Sequence, residues 1–221
     1  MPTSLASLDA YVGRLLRSPV PRVSGREALL IGTTLGLGYG FVMGTFSGLW
    51  DGRTLQLLYS AVKVPLLLGV TSLIAMPAFF VLNTLAGVGG DFRQVLRALL
   101  ATQAGVSVVL AALAPVTFFW YAGNADYPQA ILANAVAFGL ASLAGQVLLT
   151  RYYRPLERQN PVHRRLRWLW IALYAFVGVQ MGWVLRPFIG QPGSEEQFFR
   201  EGAWGNAYVE LFAIALRAVG V

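Results

Sequence analysis

Long apolar runs separated by clustered arginines set the pattern of this chain. Twenty-three uncharged positions lie between Glu27 and Asp51, 27 between Lys63 and Asp91, 28 between Arg97 and Asp126, 24 between Asp126 and Arg151, and 18 between Arg167 and Arg186. A helix rising about 1.5 Å per residue needs about 20 apolar residues to cross about 30 Å of hydrocarbon. The runs therefore predict an all-α polytopic bundle with five transmembrane helices, at residues 28–50, 64–86, 98–121, 128–150 and 168–186.

Two weaker patterns flank these spans. Leu5, Leu8, Val12, Leu15 and Leu16 recur at helical spacing, Arg14 and Arg17 fall off that stripe, and Pro19 and Pro21 end it. Residues 1–27 thus read as a cytoplasmic segment with an amphipathic helix lying on the membrane surface. Residues 187–221 form a tail beyond the last span, rich in Pro, Gly and charge up to residue 205. Its apolar stretch 206–218, interrupted by Glu210 and Arg217, is too short to cross. It predicts an interfacial helix, with a partly inserted sixth helix as the alternative.

Composition agrees with a bilayer as solvent. Hydrophobic residues make up 56% of the 221 and charged residues only 12%, against roughly 25% charged in ordinary globular chains. The formal charge of +7 would suit nucleic acid or anionic lipid, and the placement of the arginines in short gaps between apolar runs selects lipid. With the N-terminus inside, 12 basic residues fall in the cytoplasmic segments 1–27, 87–97 and 151–167, and 5 in the opposite segments. The positive-inside rule then gives a cytoplasmic N-terminus and an outer C-terminus. Residues 1–26 hold no long apolar run and no small-residue cleavage site, so a removable signal peptide is not expected there.

Span one carries Gly32, Gly36, Gly40, Gly44 and Gly48, a glycine every four residues. Such a ridge lets another helix backbone approach closely, as in a glycine zipper. Ala133, Ala137, Ala141 and Gly145 of span four, with Gly178 and Gly182 of span five, are the expected matching surfaces. Packing within the chain is the plainer reading; a homo-oligomer, another membrane protein as partner, or a pore lining are the alternatives. Pro65, Pro77 and Pro115 sit in or beside spans two and three, and each is expected to kink its helix.

The polar residues inside the runs are uncharged: Thr71, Ser72, Asn83, Thr102, Gln103, Ser107, Asn134, Gln146 and Gln180. Energised transporters generally need an ionisable group at mid-membrane, so Asn134 and Gln180 read as interhelical hydrogen-bonding residues. Trp50, Trp120, Tyr121, Trp168, Trp170 and Trp183 read as interfacial aromatics. Lys63 and Arg186, at outer span ends, would snorkel to headgroups or hold an anion. Arg151, Arg154, Arg158, Arg164, Arg165 and Arg167 form the strongest candidate contact for anionic headgroups.

Catalytic chemistry finds little material here. The chain has no Cys and a single His, His163, so thiolate or histidine-rich metal sites are not expected, and no phosphate-binding loop or nucleophile-elbow motif occurs. Asp51, Asp126, Glu195, Glu196, Glu201 and Glu210 fall on the outer side, but the neighbours Glu195 and Glu196 would point apart on a helix. No catalytic residue, metal or cofactor is therefore assigned.

The run Lys63-Val64-Pro65-Leu66-Leu67-Leu68, followed by Pro77, Leu82-Asn83, Ala114-Pro115 and the stretch Gln180 to Gly190 (QMGWVLRPFIG), resembles a family of bacterial polytopic proteins. That family is grouped loosely with the Yip family of five-span membrane proteins, and the resemblance covers roughly residues 60–205. It implies five spans, a cytoplasmic N-terminus and a bacterial cytoplasmic membrane, and it carries no activity with it. Eukaryotic Yip proteins bind small GTPases through their N-terminal region; only 27 residues precede the first span here. The expected function is a non-enzymatic membrane scaffold that organises a complex. The alternatives are a small channel or passive transporter, or an accessory subunit of a larger membrane enzyme.

Overall fold

A computed structural model describes residues 5–18, 21, 23–48, 53–123, 126–190 and 193–209. Among the described residues 84% are helical and none is in a strand. In order the helices are α1 (Leu5–Arg17), α2 (Gly25–Gly48), α3 (Thr54–Leu85), α4 (Phe92–Gly123), α5 (Tyr127–Gln159) and α6 (Val162–Val184). A 3₁₀ turn at Gly89–Asp91 joins α3 to α4.

Local sequence explains several boundaries. Ser24 and Glu27 form a capping box at the start of α2: the Ser24 amide donates to Glu27 Oε2 (2.7 Å) and the Glu27 amide to Ser24 Oγ (3.2 Å). A proline in the first turn opens α5 after Asp126. At the end of α3, the Val88 amide donates to the Asn83 carbonyl and the Gly87 amide to the Thr84 carbonyl, with Gly87 at φ +76°. This is a Schellman ending, and only glycine takes that φ cheaply.

Four helices, α2 to α5, are long and apolar enough to cross a membrane. The predicted fifth span corresponds to α6, whose 23 residues begin with His163, Arg164, Arg165 and Arg167. Beyond Arg167 only about 25 Å of helix remains, and Gln180 and the tryptophans lower its hydropathy. Three other helices are longer than the predicted spans, α4 beginning at Phe92 so that Arg93 and Arg97 are helical. α3 starts at Thr54 because Lys63, which seemed to bound the span, is inside the helix. α5 runs on to Gln159, so Arg151, Arg154 and Arg158 are helical and not part of a loop, while Arg164, Arg165 and Arg167 belong to the first turns of α6.

The glycine ridge is covered by the chain's own α3 and α4, not by α5 or α6. A Cβ on Gly32 would meet the Ala104 backbone at 3.6 Å, and one on Gly36 would meet Pro65 at 3.5 Å. Further along, a Cβ on Gly40 would stand 2.8 Å from Ala61 Cα and one on Gly44 2.7 Å from Leu57 Cα. Those two approaches admit no side chain. Gly48 is the last residue of α2.

Proline and glycine act together at this contact. Pro65 has no amide hydrogen, so the Ala61 carbonyl loses its helical donor. The Ser60 and Ala61 carbonyl oxygens both lie against the Gly40 position, the latter 2.9 Å from where a Gly40 Cβ would be. The α2 backbone thus packs directly on the α3 backbone beside the missing bond. Pro77 and Pro115 also lie inside their helices, and α5 contains a further proline, Pro155.

The small-residue face of α5 packs on α4. Ala137 and Ala141 are buried, Ala133 is half-buried, and a Cβ on Gly145 would press on Val106 at 2.6 Å. A Cβ on Gly178 of α6 would stand 3.6 Å from the Thr71 methyl of α3, whereas nothing among the described residues lies within 4 Å of where a Gly182 Cβ would be.

Two apolar cores occupy opposite ends of the bundle. One gathers Leu15, Val23, Val95, Leu99, Tyr152, Tyr153, Leu166 and Trp170; the other gathers Tyr39, Met43, Phe46, Val64, Leu110, Tyr121 and Ile189. α1 is tied to the first core, with Tyr152 donating to the Leu15 carbonyl and Arg151 to the Leu16 carbonyl. Its C-terminal half is thus docked on the bundle. The tail returns along α6: Tyr208 stacks on Phe176 with ring centres 4.7 Å apart, and Gln180 bonds both Gly205 and Ala207. Residues 206–209 begin the predicted last helix; the rest of that stretch, with Trp50, Asp51, Glu210 and Arg217, lies outside the described residues.

Candidate functional site

Three polar residues of α3 converge on the turn after α6. Gln56, Ser60 and Lys63 follow one another at four- and three-residue spacing, so they share one helix face. Gln56 Nε2 donates to Ser60 Oγ at 3.0 Å, Ser60 Oγ donates to the Phe188 carbonyl, and Lys63 Nζ donates to the Pro187 carbonyl at 2.6 Å. All three side chains are fully buried. Lys63 also lies 5.0 Å from the centre of the Phe198 ring, a cation–π distance. It therefore neither snorkels nor offers its charge to an external anion. It holds the segment after α6 against the start of α3.

Beside this clamp two guanidinium groups stack on one indole. Arg186 Cζ lies 3.6 Å and Arg200 Cζ 4.4 Å from the Trp183 ring centre. Trp183 is thus a platform for two cations and not a free interfacial residue. Glu196 pairs with Arg53 at 3.8 Å, and Glu195 accepts from Gln197 at 3.5 Å. Arg186, Arg200 and Glu195 line a cleft of about 670 Å³, floored by Met43, Leu67, Ile131 and Phe138.

A satisfied polar tier closes the deep side of that cleft. Tyr39 of α2 donates to Asn134 Oδ1 (3.1 Å), while Asn134 Nδ2 donates to the Tyr121 hydroxyl and to the Ala130 carbonyl (2.7 Å). Asn134 links α2, α4 and α5 as an interhelical residue. Gln180 differs: its amide bonds the tail backbone, not another span. Tyr121 and Trp170 are core residues as well, Trp170 packing on Phe79, whereas Trp120 and Trp168 are exposed as interfacial aromatics would be.

The opposite end carries the arginines. Arg14, Arg17, Arg26, Arg93, Arg97, Arg154, Arg158, Arg164 and Arg165 are all exposed. Of the acids among them, Glu27 belongs to its capping box, Asp91 bonds His163 (3.0 Å) and Glu157 bonds Arg167 (2.8 Å). Asp9 is exposed on α1. Arg167 is buried, reaching both Glu157 and Thr150, and Arg151 is spent on the α1 carbonyl. These two arginines fasten helices and are not lipid contacts.

A second cavity, about 300 Å³, lies between α2, α3 and α4 and is lined by Gly32, Pro65, Ser72, Gln103 and Ser107 among others. Among the described residues no three His, Asp or Glu side chains gather as a metal site would require.

The Gln56–Ser60–Lys63 face escaped sequence reading because Lys63 was treated as a boundary. Its spacing was the available signal. Arg200 and Trp183 meet only through the fold of the tail, which no periodicity announces. No family model, no curated protein and no solved structure matches the chain.

Proposed function

We propose that this chain is a non-enzymatic membrane protein with five crossings and a cytoplasmic N-terminus, and that it organises a membrane complex by holding anionic lipid at its arginine-rich end. The observation that carries this reading is the set of nine exposed arginines gathered at one end, where three of the neighbouring acids are already engaged. Their positive field is therefore directed outward, and basic groups near a leaflet gain about 1 kcal/mol each from anionic lipid.

Five crossings are supported by the two ends of α6. His163, at its start, bonds Asp91 of the α3–α4 connection, and the residues after its end bond Ser60 and Lys63 near the start of α3. α6 thus runs the height of the bundle with its neighbours. Packing against α3 and α5 compensates for its modest hydropathy. The resemblance to a bacterial five-span family, with its cytoplasmic-membrane location, points the same way.

Native mass spectrometry from nanodiscs tests the proposal. The wild-type protein is expected to retain phosphatidylglycerol over phosphatidylcholine, and the Arg154→Gln, Arg158→Gln, Arg164→Gln, Arg165→Gln variant to lose that preference. Equal retention of both lipids by the wild type contradicts it.

A further inference from the structure

We propose that the cleft at the Lys63 end is a binding site for an amphiphile with an anionic head and a single apolar tail. The inference stands on two guanidinium groups beside an otherwise largely apolar space: Arg186 and Arg200 both line the cleft and both stack on Trp183. A guanidinium carries parallel N–H groups that match two oxygens of a carboxylate or phosphate. An oxyanion in the cleft complements that positive end.

The rest of the cleft fits such a ligand. Arg186 stands on the same indole and adds positive charge at the head position. Glu195, the acid of the lining, is at the exposed rim, where water and salt screen it. Below the arginines the lining turns apolar, with Met43, Leu67, Ile131 and Phe138. At about 670 Å³ the space matches sites that take small organic ligands, typically 300–1,000 Å³. Asn134 cannot compete for the head, since its amide is committed to Tyr39, Tyr121 and Ala130. Head selection therefore falls to Arg200, with the tail lying against α2, α3 and α5.

The test uses the full chain in phosphatidylcholine nanodiscs, with dodecyl phosphate, inorganic phosphate and dodecanol as probes. Dodecyl phosphate is expected to quench Trp fluorescence saturably and to raise the unfolding temperature. Arg200→Gln should weaken that binding by at least about tenfold, the scale of a lost charge-assisted pair, while Gln94→Ala, at an exposed position of α4, leaves it unchanged. Inorganic phosphate binding as tightly as dodecyl phosphate would show a site for free anions and overturn the amphiphile, and dodecanol binding as tightly would remove the role of the head. A diazirine-bearing alkyl phosphate supplies a test in the wild type that needs no variant. Labelling of peptides containing Ile131 or Phe138 supports the site; labelling confined to the arginine end or the outer helix faces overturns it.

Discussion

The two ends of the bundle treat charge in opposite ways. At the α1 end nine arginines stay at the surface, while the half-buried Arg151 and the buried Arg167 brace helices. At the other end Lys63 is withdrawn completely, and its ammonium is satisfied by a backbone carbonyl and an aromatic face. The difference shows that a basic residue at a span end has two distinct uses. At the α1 end the charge stays exposed, where the proposed function places headgroups. Where a long tail returns, the charge can organise that tail.

Backbone packing follows the same asymmetry. Along α2 the separations tighten from Gly32 and Gly36 to Gly40 and Gly44, at the end where α3 carries Lys63. The largest expected effect therefore comes from Gly40→Leu or Gly44→Leu, which would collide with the α3 backbone. Each should cost about 3 kcal/mol or more, beyond the usual overpacking range, and abolish the folded protein in size-exclusion chromatography. Gly38→Leu, at a position with open space, should elute as wild type. Should all three variants behave alike, the ridge has no role in packing.

Next in size, Lys63→Met removes the bond to Pro187 and leaves a half-buried carbonyl without its donor. A loss of about 2 kcal/mol is expected, in the range for hydrogen bonds to charged groups. Faster proteolysis between residues 187 and 205 should accompany it, with little change around α1. Uniform destabilisation of both ends would erase the proposed division.

At the arginine end the matching change is Tyr152→Phe, which deletes only the hydroxyl bonded to Leu15. About 1 kcal/mol is expected, read as faster hydrogen exchange confined to α1. The smallest effect belongs to Arg154→Gln/Arg158→Gln. Both side chains are exposed, so the unfolding temperature should shift by no more than the equivalent of about 0.5 kcal/mol. Binding to vesicles containing phosphatidylglycerol should weaken nonetheless, and most at low salt.

Much of this architecture was legible in the sequence because a bilayer demands long helices with few charges. α2 to α5 were found from the spacing of charged residues alone, and the glycines of α2 marked a close-approach surface. The errors in helix bounds share one cause, the assumption that a charge marks a helix end. Lys63 concealed ten residues of α3, and Arg151 concealed the last turns of α5. The partner of the glycine ridge was also misplaced, on α5 and not on α3, because Pro65 was read as a kink. Pro65 itself lies against Gly36, and Gly40 packs on the Ser60–Ala61 backbone one turn away, a pairing no one-dimensional pattern displays. The cleft was the least legible feature, since Arg186, Trp183 and Arg200 are brought together by a tail without regular structure.

Orientation gives the most direct test, because the contrast between the ends depends on which one faces the cytoplasm. The chain has no cysteine, so single cysteines in place of Arg158 and Glu201 can be labelled with a membrane-impermeant maleimide in right-side-out vesicles. Glu201→Cys should react from outside, and Arg158→Cys only after the membrane is opened. Labelling of both positions from the same side would mean that α6 does not cross, and labelling in the reverse order would place the arginines outside; either result contradicts the account.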